Sequence, residues 1–151
     1  MDAGFFEMDG RANWLSLMAK SPVKFIDECW QKAGLSPKFE VIRSPEIGSV
    51  MVRGRMGGTG DAFNLGEMTV TRASVKLSCG TVGHGYIMGR SKRTATRVAL
   101  CDALLQTGDK QQVKDNIIQP LMSLKKESDQ RILAKAAATK VDFFTLARGE
   151  D

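Results

Sequence analysis

Apolar side chains recur at three- and four-residue steps in the first quarter of the chain, at two-residue steps from Phe39 to Met88, and at helical steps again beyond Ser91. Trp14, Leu15 and Met18 form the apolar face of a short helix from about Arg11 to Lys20, with Asp9 placed to cap it. Ser21 and Pro22 restart the helix, because serine suits an N-cap and proline suits the first helical position, where its missing N–H costs nothing. Ile26, Cys29, Trp30 and Ala33 continue the stripe until Gly34, which is placed to end it.

The middle of the chain reads as strands. FEVIR begins at Phe39, Ser44-Pro45 predicts a break, and GSVMVRGR runs into glycines. LGEMTVTRASVKLS is a longer strand whose alternation slips. Met68 and Val70 share one phase while Ala73, Val75 and Leu77 share the other, which predicts a bulge near Thr71 and Arg72. Ser78-Cys79-Gly80-Thr81 then turns the chain into VGHGYIMG, giving a β-hairpin. Ser91 is placed to cap a helix in which Ala95, Val98, Cys101 and Leu105 keep helical spacing until Gly108, and Asp109 to cap another, which Pro120 kinks or splits. KVDFFTLAR reads as a final strand, Val141, Phe143 and Thr145 opposite Asp142, Phe144 and Leu146. Helices, clustered strands, helices and a strand predict an α+β fold: one domain over residues 1–151, a mainly antiparallel sheet, and helices at the N-terminus and in the C-terminal half. A parallel nucleotide-binding sheet is disfavoured, since strands and helices do not alternate.

Composition narrows the class. A chain of 151 residues, 42% hydrophobic and 26% charged with four prolines, is an ordinary globular domain rather than a disordered or collagenous one. No apolar run approaches the ~20 residues that cross a bilayer. MDAGFFEMDG carries no basic residue, the wrong chemistry for a secretory or transit segment, so a cytoplasmic protein without membrane contact is expected. Cys29, Cys79 and Cys101 are widely spaced and joined by a single histidine, which suits neither a disulfide framework nor a four-ligand metal site. Reduced thiols and no metal are expected. The net charge is +5, yet residues 43–97 hold nine basic and three acidic groups together with ten of the fifteen glycines. That segment is where an anionic ligand or an acidic partner is expected.

Candidate chemistry clusters there. Gly57, Gly58, Thr59 and Gly60 form a glycine-rich loop that can turn backbone N–H groups and a hydroxyl toward a phosphate, or serve simply as a turn; it lacks the Lys-Ser or Lys-Thr of a P-loop. Arg53 and Arg55, two apart, project from one face of a strand and can grip an anion bidentately or guard a solvated edge. Asn64 and Glu67 flank the FNLGE turn, where Glu67 can accept a ligand hydroxyl or pair with an arginine. His84, between Gly83 and Gly85 and in phase with Tyr86, is the one candidate general acid or base, although no sequence neighbour orients it and a structural hydrogen bond is the commoner use. The bare glycine face permits another chain or a flat ligand to approach closely. Arg90, Lys92, Arg93 and Arg97 place positive charge at a helix N-terminus, which calls for an anion or an acidic surface to compensate.

VMVRGRMGGTGDAFNLGEMTVTRASVKL, followed by GTVGHGYIMGR and KVDFFTLARGE, closely resembles the PhnG family of bacterial carbon-phosphorus lyase subunits, and WLSLMAK and ALCDALLQ extend the likeness along nearly the whole chain. The resemblance implies a role in phosphonate utilisation, within a core complex that includes PhnH, PhnI and PhnJ, a second copy of the chain being a further candidate partner. It implies that the complex displaces adenine from MgATP with a phosphonate such as methylphosphonate, giving α-D-ribose 1-methylphosphonate 5-triphosphate. It further implies that the nucleosidase-like step belongs to PhnI, and that the iron-sulfur cluster and S-adenosylmethionine belong to PhnJ. An accessory or scaffolding subunit without its own cofactor is expected. Arg53, Arg55, the four loop residues, Asn64, Glu67, Arg72, Tyr86 and Arg90 are the candidates for phosphate contact or partner docking. The rival expectations are a self-sufficient phosphate-ester enzyme and a basic phosphate-ligand or nucleic-acid module. The latter suffers because the basic residues are not interleaved with stacking aromatics.

Overall fold

A computed structural model describes residues 10–141 of the chain. Helix α1 spans Arg11–Lys20 and α2 Val23–Ala33; three strands follow, β1 Phe39–Arg55, β2 Ala62–Leu77 and β3 Val82–Met88. Helix α3 spans Lys92–Leu105, the short α4 Lys110–Val113, and α5 Gln119–Ala138. The sheet is antiparallel throughout, in the order β1-β2-β3. The α+β expectation is borne out. No helix among the described residues is long and apolar enough to cross a membrane.

One face of the sheet carries the core. Thr71, Ala73, Val75 and Leu77 of β2 and Ile87 of β3 are buried there, together with Trp14, Met18, Ile26, Val98, Leu105, Ile117 and Leu121 from the helices. The opposite face presents Arg72, Lys76, His84, Tyr86 and Met88 to solvent. The two glycines of β3 explain how α3 comes so near. A Cβ on Gly83 would lie 2.0 Å from the Ala99 carbonyl oxygen, and one on Gly85 would lie 2.0 Å from that of Ala95. The close approach expected of another chain or a flat ligand is made by the protein's own helix.

Several boundaries differ from the sequence pattern, each for a local reason. Gly10 occupies the N-cap position of α1, Asp9 lying outside the described residues. Ser21 closes α1 rather than opening α2: its hydroxyl donates to the Leu17 carbonyl at 2.6 Å, and Pro22 takes the N-cap position of α2. Gly34 ends α2 in the left-handed region at φ 62°, as its placement predicts. Ser91 caps α3 by accepting from the Thr94 N–H at 3.2 Å. Ser44-Pro45 does not break β1; the strand runs on, with register shifts between Val41 and Arg43 and between Arg43 and Glu46 that accommodate the proline. Those extra residues lie on β1. The bulge expected in β2 near Thr71 and Arg72 is absent, since Val70 to Lys76 pair with β3 in unbroken register. The phase slip arises instead because buried Thr71 satisfies its hydroxyl on the Gly89 carbonyl at 2.6 Å and so belongs to the core face. Pro120 sits in the first turn of α5, after a π-helical turn at Lys114–Ile118 that splits α4 from α5. The expected strand KVDFFTLAR lies outside the described residues from Asp142 onward, and Lys140 and Val141 are not in a strand.

Candidate functional site

Strand lengths create the most distinctive feature. β1 has 17 residues and β2 has 16, whereas β3 has seven and pairs with β2 only from Val70 to Lys76. Beyond Val70 the first two strands continue as a two-stranded arm, with no third strand beside them among the described residues. A two-stranded ribbon is marginal in water unless something packs on it. This one exposes Ile47, Met51, Met56, Phe63 and Leu65, Met51 at 58% and Leu65 at 62%. The end of α5 projects in the same unsupported way: Ile132 and Leu133 are 62% and 68% exposed, and ion pairs Lys125–Asp129 and Glu127–Arg131 link successive turns.

The arm gathers eight of the eleven candidates for phosphate contact or docking. Arg53 pairs with Asn64 and Met51 with Glu67, so Arg53, Asn64, Glu67 and Arg55 share one face. Asn64 and Glu67 are three apart and reach the same face because Leu65 is an extra residue at the register shift between Val52 and Arg53. The other face is apolar, with Phe63 and Leu65 lying over Gly54 and Val50 opposite Met68. Gly57, Gly58, Thr59 and Gly60 make the tip. Gly57 at φ 59° and Gly58 at φ 83° need left-handed backbone, and the Gly60 N–H is spent on the Met56 carbonyl at 2.8 Å. That geometry is a tight hairpin tip, with Arg55 Nη1 donating to the Gly60 carbonyl at 3.4 Å.

The remaining candidates lie elsewhere. Arg72, His84 and Tyr86 sit together on the open face of the sheet, Arg72 opposite Tyr86 and Ser74 opposite His84. Ser74 supplies the partner that no sequence neighbour provides, its Oγ 2.8 Å from His84 Nδ1. Arg43 and Arg72 both contact Glu46, at 3.5 and 3.4 Å. Arg90 stands apart in the bend after Gly89, whose N–H donates to the Thr69 carbonyl.

Two buried aspartates, absent from the sequence candidates, compensate charge inside the chain. Asp27 of α2 accepts from Arg97 Nη1 at 2.6 Å, Arg93 Nη2 at 3.1 Å and the Thr94 hydroxyl at 3.1 Å. The positive N-terminus of α3 thus has its anion within the fold, and the groove beside it, lined by Trp30, Phe39, Arg93 and Arg97, has both arginines committed to Asp27. Burial pushes the Asp27 carboxyl up, but hydrogen bonds from Arg97, Arg93 and Thr94 overcome this and hold it below the usual carboxylate range. A carboxyl lowered on folding contributes stability above its unfolded value of about 3.9 and loses it as pH falls through the folded value. Wild type is therefore expected to keep its stability advantage over Asp27→Asn above about pH 5 and to lose it progressively as pH falls below about 4 through the folded value, checked by denaturant melts along that series. Asp102 of α3 is fully buried and accepts from Arg11 Nη2 at 2.7 Å, Trp14 Nε1 at 2.9 Å and the His84 backbone N–H at 2.8 Å. It ties α1, β3 and α3 together. Its only sequence signal is a charge inside the apolar run VALCDALL.

The thiols divide in the same spirit. Burial pushes Cys29 and Cys101 up, whereas hydrogen bonding from Thr81 holds exposed Cys79 below its ordinary value. One maleimide adduct is expected to form quickly, on Cys79, with the other two blocked until unfolding; peptide mass mapping checks it. Fast labelling of Cys29 or Cys101 would contradict the packing.

The family model for phosphonate metabolism protein PhnG matches residues 9–149. The chain belongs to the PhnG family. A curated relative from Rhizobium meliloti (strain 1021), the alpha-D-ribose 1-methylphosphonate 5-triphosphate synthase subunit PhnG, is 40% identical over 150 residues, covering 99% of this chain and 94% of the relative. Within this PhnG family member, the described residues leave the arm and the open sheet face uncovered, while Arg11, Arg93 and Arg97 on the helix side are compensated by Asp102 and Asp27.

Proposed function

We propose that the chain is a subunit of α-D-ribose 1-methylphosphonate 5-triphosphate synthase in phosphonate metabolism, and that it contributes surfaces rather than a catalytic centre of its own. Support comes from the near full-length likeness to a subunit of that synthase. The structural observation that carries the reading is the arm, whose apolar face exposes Phe63 and Leu65 with nothing among the described residues packed over them. In this reading the apolar face of the arm docks another subunit, PhnI, PhnH or PhnJ, in a hetero-oligomeric core.

Arg53, Arg55 and Asn64 on the other face are then directed at an acidic surface or at the triphosphate or phosphonate of the substrate. Fixed donors stabilise developing charge without any titrating group, so such help needs no nucleophile here. MgATP is a substrate of the whole assembly, and the iron-sulfur cluster and S-adenosylmethionine belong to PhnJ. His84, bound to Ser74 on an exposed sheet face, has no role in acid-base catalysis in this reading.

Co-expression with and without the partner subunits, followed by adenine release from MgATP plus methylphosphonate, tests this. Adenine release only in the mixture is expected, and turnover by the purified chain alone would overturn the proposal. Arg53→Ala with Arg55→Ala separates the two uses of the polar face. Intact assembly with a raised substrate requirement marks substrate contact, whereas loss of assembly marks docking.

A further inference from the structure

We propose that Arg53 and Arg55 together grip the triphosphate of a substrate held by a neighbouring subunit, the arm carrying them into that subunit's cleft. This rests on the reading of the chain as a synthase subunit docked through the apolar face of the arm, and it commits the polar face to one ligand class. Arg11, Arg43, Arg72, Arg93, Arg97 and Arg131 each pair with a carboxylate of the chain. Among the described residues Arg53 and Arg55 pair with none, and both stand exposed on the same face of β1 just before the tip. The one bond that Arg55 makes, from Nη1 to the Gly60 carbonyl, is long at 3.4 Å, so the rest of its fork is left for a ligand.

Spacing selects the ligand. Residues two apart on a strand stand about 7 Å from one another. A phosphonate carries its oxygens on a single phosphorus and fills one guanidinium fork, whereas a triphosphate spreads its charge along a chain and can fill two. Asn64, opposite Arg53, adds amide donors to the same face, and Glu67, opposite Met51, closes the basic stretch on the side of the root. The tip accounts for the reach. Gly57, Gly58 and Gly60 leave Thr59 as the only side chain between Met56 and Asp61, and nothing lies within 4 Å of a Cβ at Gly57 or Gly58. The Thr59 and Gly60 N–H groups are both spent on the Met56 carbonyl. The loop is therefore a thin wedge, and the anion-binding charge sits on the arginines behind it. From Val70 back to Ala62, β2 gives roughly 25 Å of extended chain, enough to pass beyond a docked surface. Guanidinium groups fixed on such a strand stabilise phosphate charge across a subunit boundary without titrating.

The test uses the co-expressed assembly and reads KM for MgATP and for methylphosphonate separately, with inorganic tripolyphosphate as a competing probe. Arg55→Ala is expected to co-purify at the wild-type level, to raise KM for MgATP about 10- to 100-fold and to weaken tripolyphosphate inhibition by a similar factor. KM for methylphosphonate is expected to stay within about twofold of wild type. Arg53→Ala acts in the same direction, and Arg55→Lys, which keeps the charge but not the fork, falls between wild type and Arg55→Ala. Added guanidinium is expected to restore part of the Arg55→Ala activity, which a merely structural role would not allow. Unchanged tripolyphosphate inhibition in a co-purified Arg55→Ala assembly, an equal rise in KM for methylphosphonate, or loss of Arg55→Ala from the assembly would each overturn the proposal. The first would show no contact, the second a contact with the phosphonate, and the third an acidic docking surface. All three leave the subunit reading standing; failure of the wild-type chain to support adenine release in the mixture would remove that reading and this inference with it.

Discussion

Gly85→Ala is expected to destabilise the fold by about 3 kcal/mol or more, read as a fall in melting temperature of about 10 °C for a chain of this size. The added methyl group would lie 2.0 Å from the Ala95 carbonyl oxygen and 2.7 Å from the Ala99 nitrogen. Both are backbone atoms of α3, so no side chain can swing aside and the whole helix has to lift off β3. Lifting it unpacks Ala95, Val98 and Ala99, each fully buried. Gly83→Ala meets the same helix one turn later, 2.0 Å from the Ala99 carbonyl oxygen. Gly48→Ala is the control: nothing lies within 4 Å of its Cβ, so its effect should stay within about 0.5 kcal/mol. Equal, small effects at Gly48 and Gly85 would contradict the contact between α3 and β3.

Asp102→Ala is the second large loss, about 3–5 kcal/mol. The carboxylate is wholly buried, and its removal strands three donors at once: the Trp14 indole N–H, the His84 backbone N–H and the Arg11 guanidinium. Arg11 is 42% exposed and can turn to water, but the two neutral donors cannot do so without opening the packing of α1 on β3. Arg11→Ala leaves the buried carboxylate without its counter-charge but with the Trp14 and His84 hydrogen bonds intact, so it should also destabilise, by less than Asp102→Ala. Thermal melts of the two variants check that order, and a larger loss for Arg11→Ala would show that the guanidinium, not the carboxylate, is the anchor.

The local rules of helix and strand were readable from the chain because they depend on neighbours. Gly34 and Ser91 cap as their positions require, and the hairpin through Gly80 falls where the turn residues cluster. Ser44-Pro45 misleads because a bulge can absorb a proline at an edge, which the chain alone does not distinguish from a strand end. The significance of Gly83-His84-Gly85 was half legible: the bare face is there, yet only tertiary packing shows that α3 fills it. The basic excess of residues 43–97 is likewise partly internal, since Arg93 and Arg97 answer Asp27, at sequence separations that no spacing rule connects. The arm was invisible for a related reason. Alternation marks β1, β2 and β3 as strands, but the mismatch of seven residues against 16 and 17 acquires meaning only once the register shows where β3 stops pairing.

That mismatch leaves Phe63 and Leu65 exposed on one face of the arm, where they can be changed without touching the core. The most direct measurement is therefore co-purification of Phe63→Asp/Leu65→Asp with affinity-tagged partner subunits of the synthase. The double variant is predicted to melt within about 2 °C of wild type and yet be lost from the purified assembly, together with adenine release. Full co-purification with undiminished activity would contradict the arm as the surface through which this PhnG family member joins its complex.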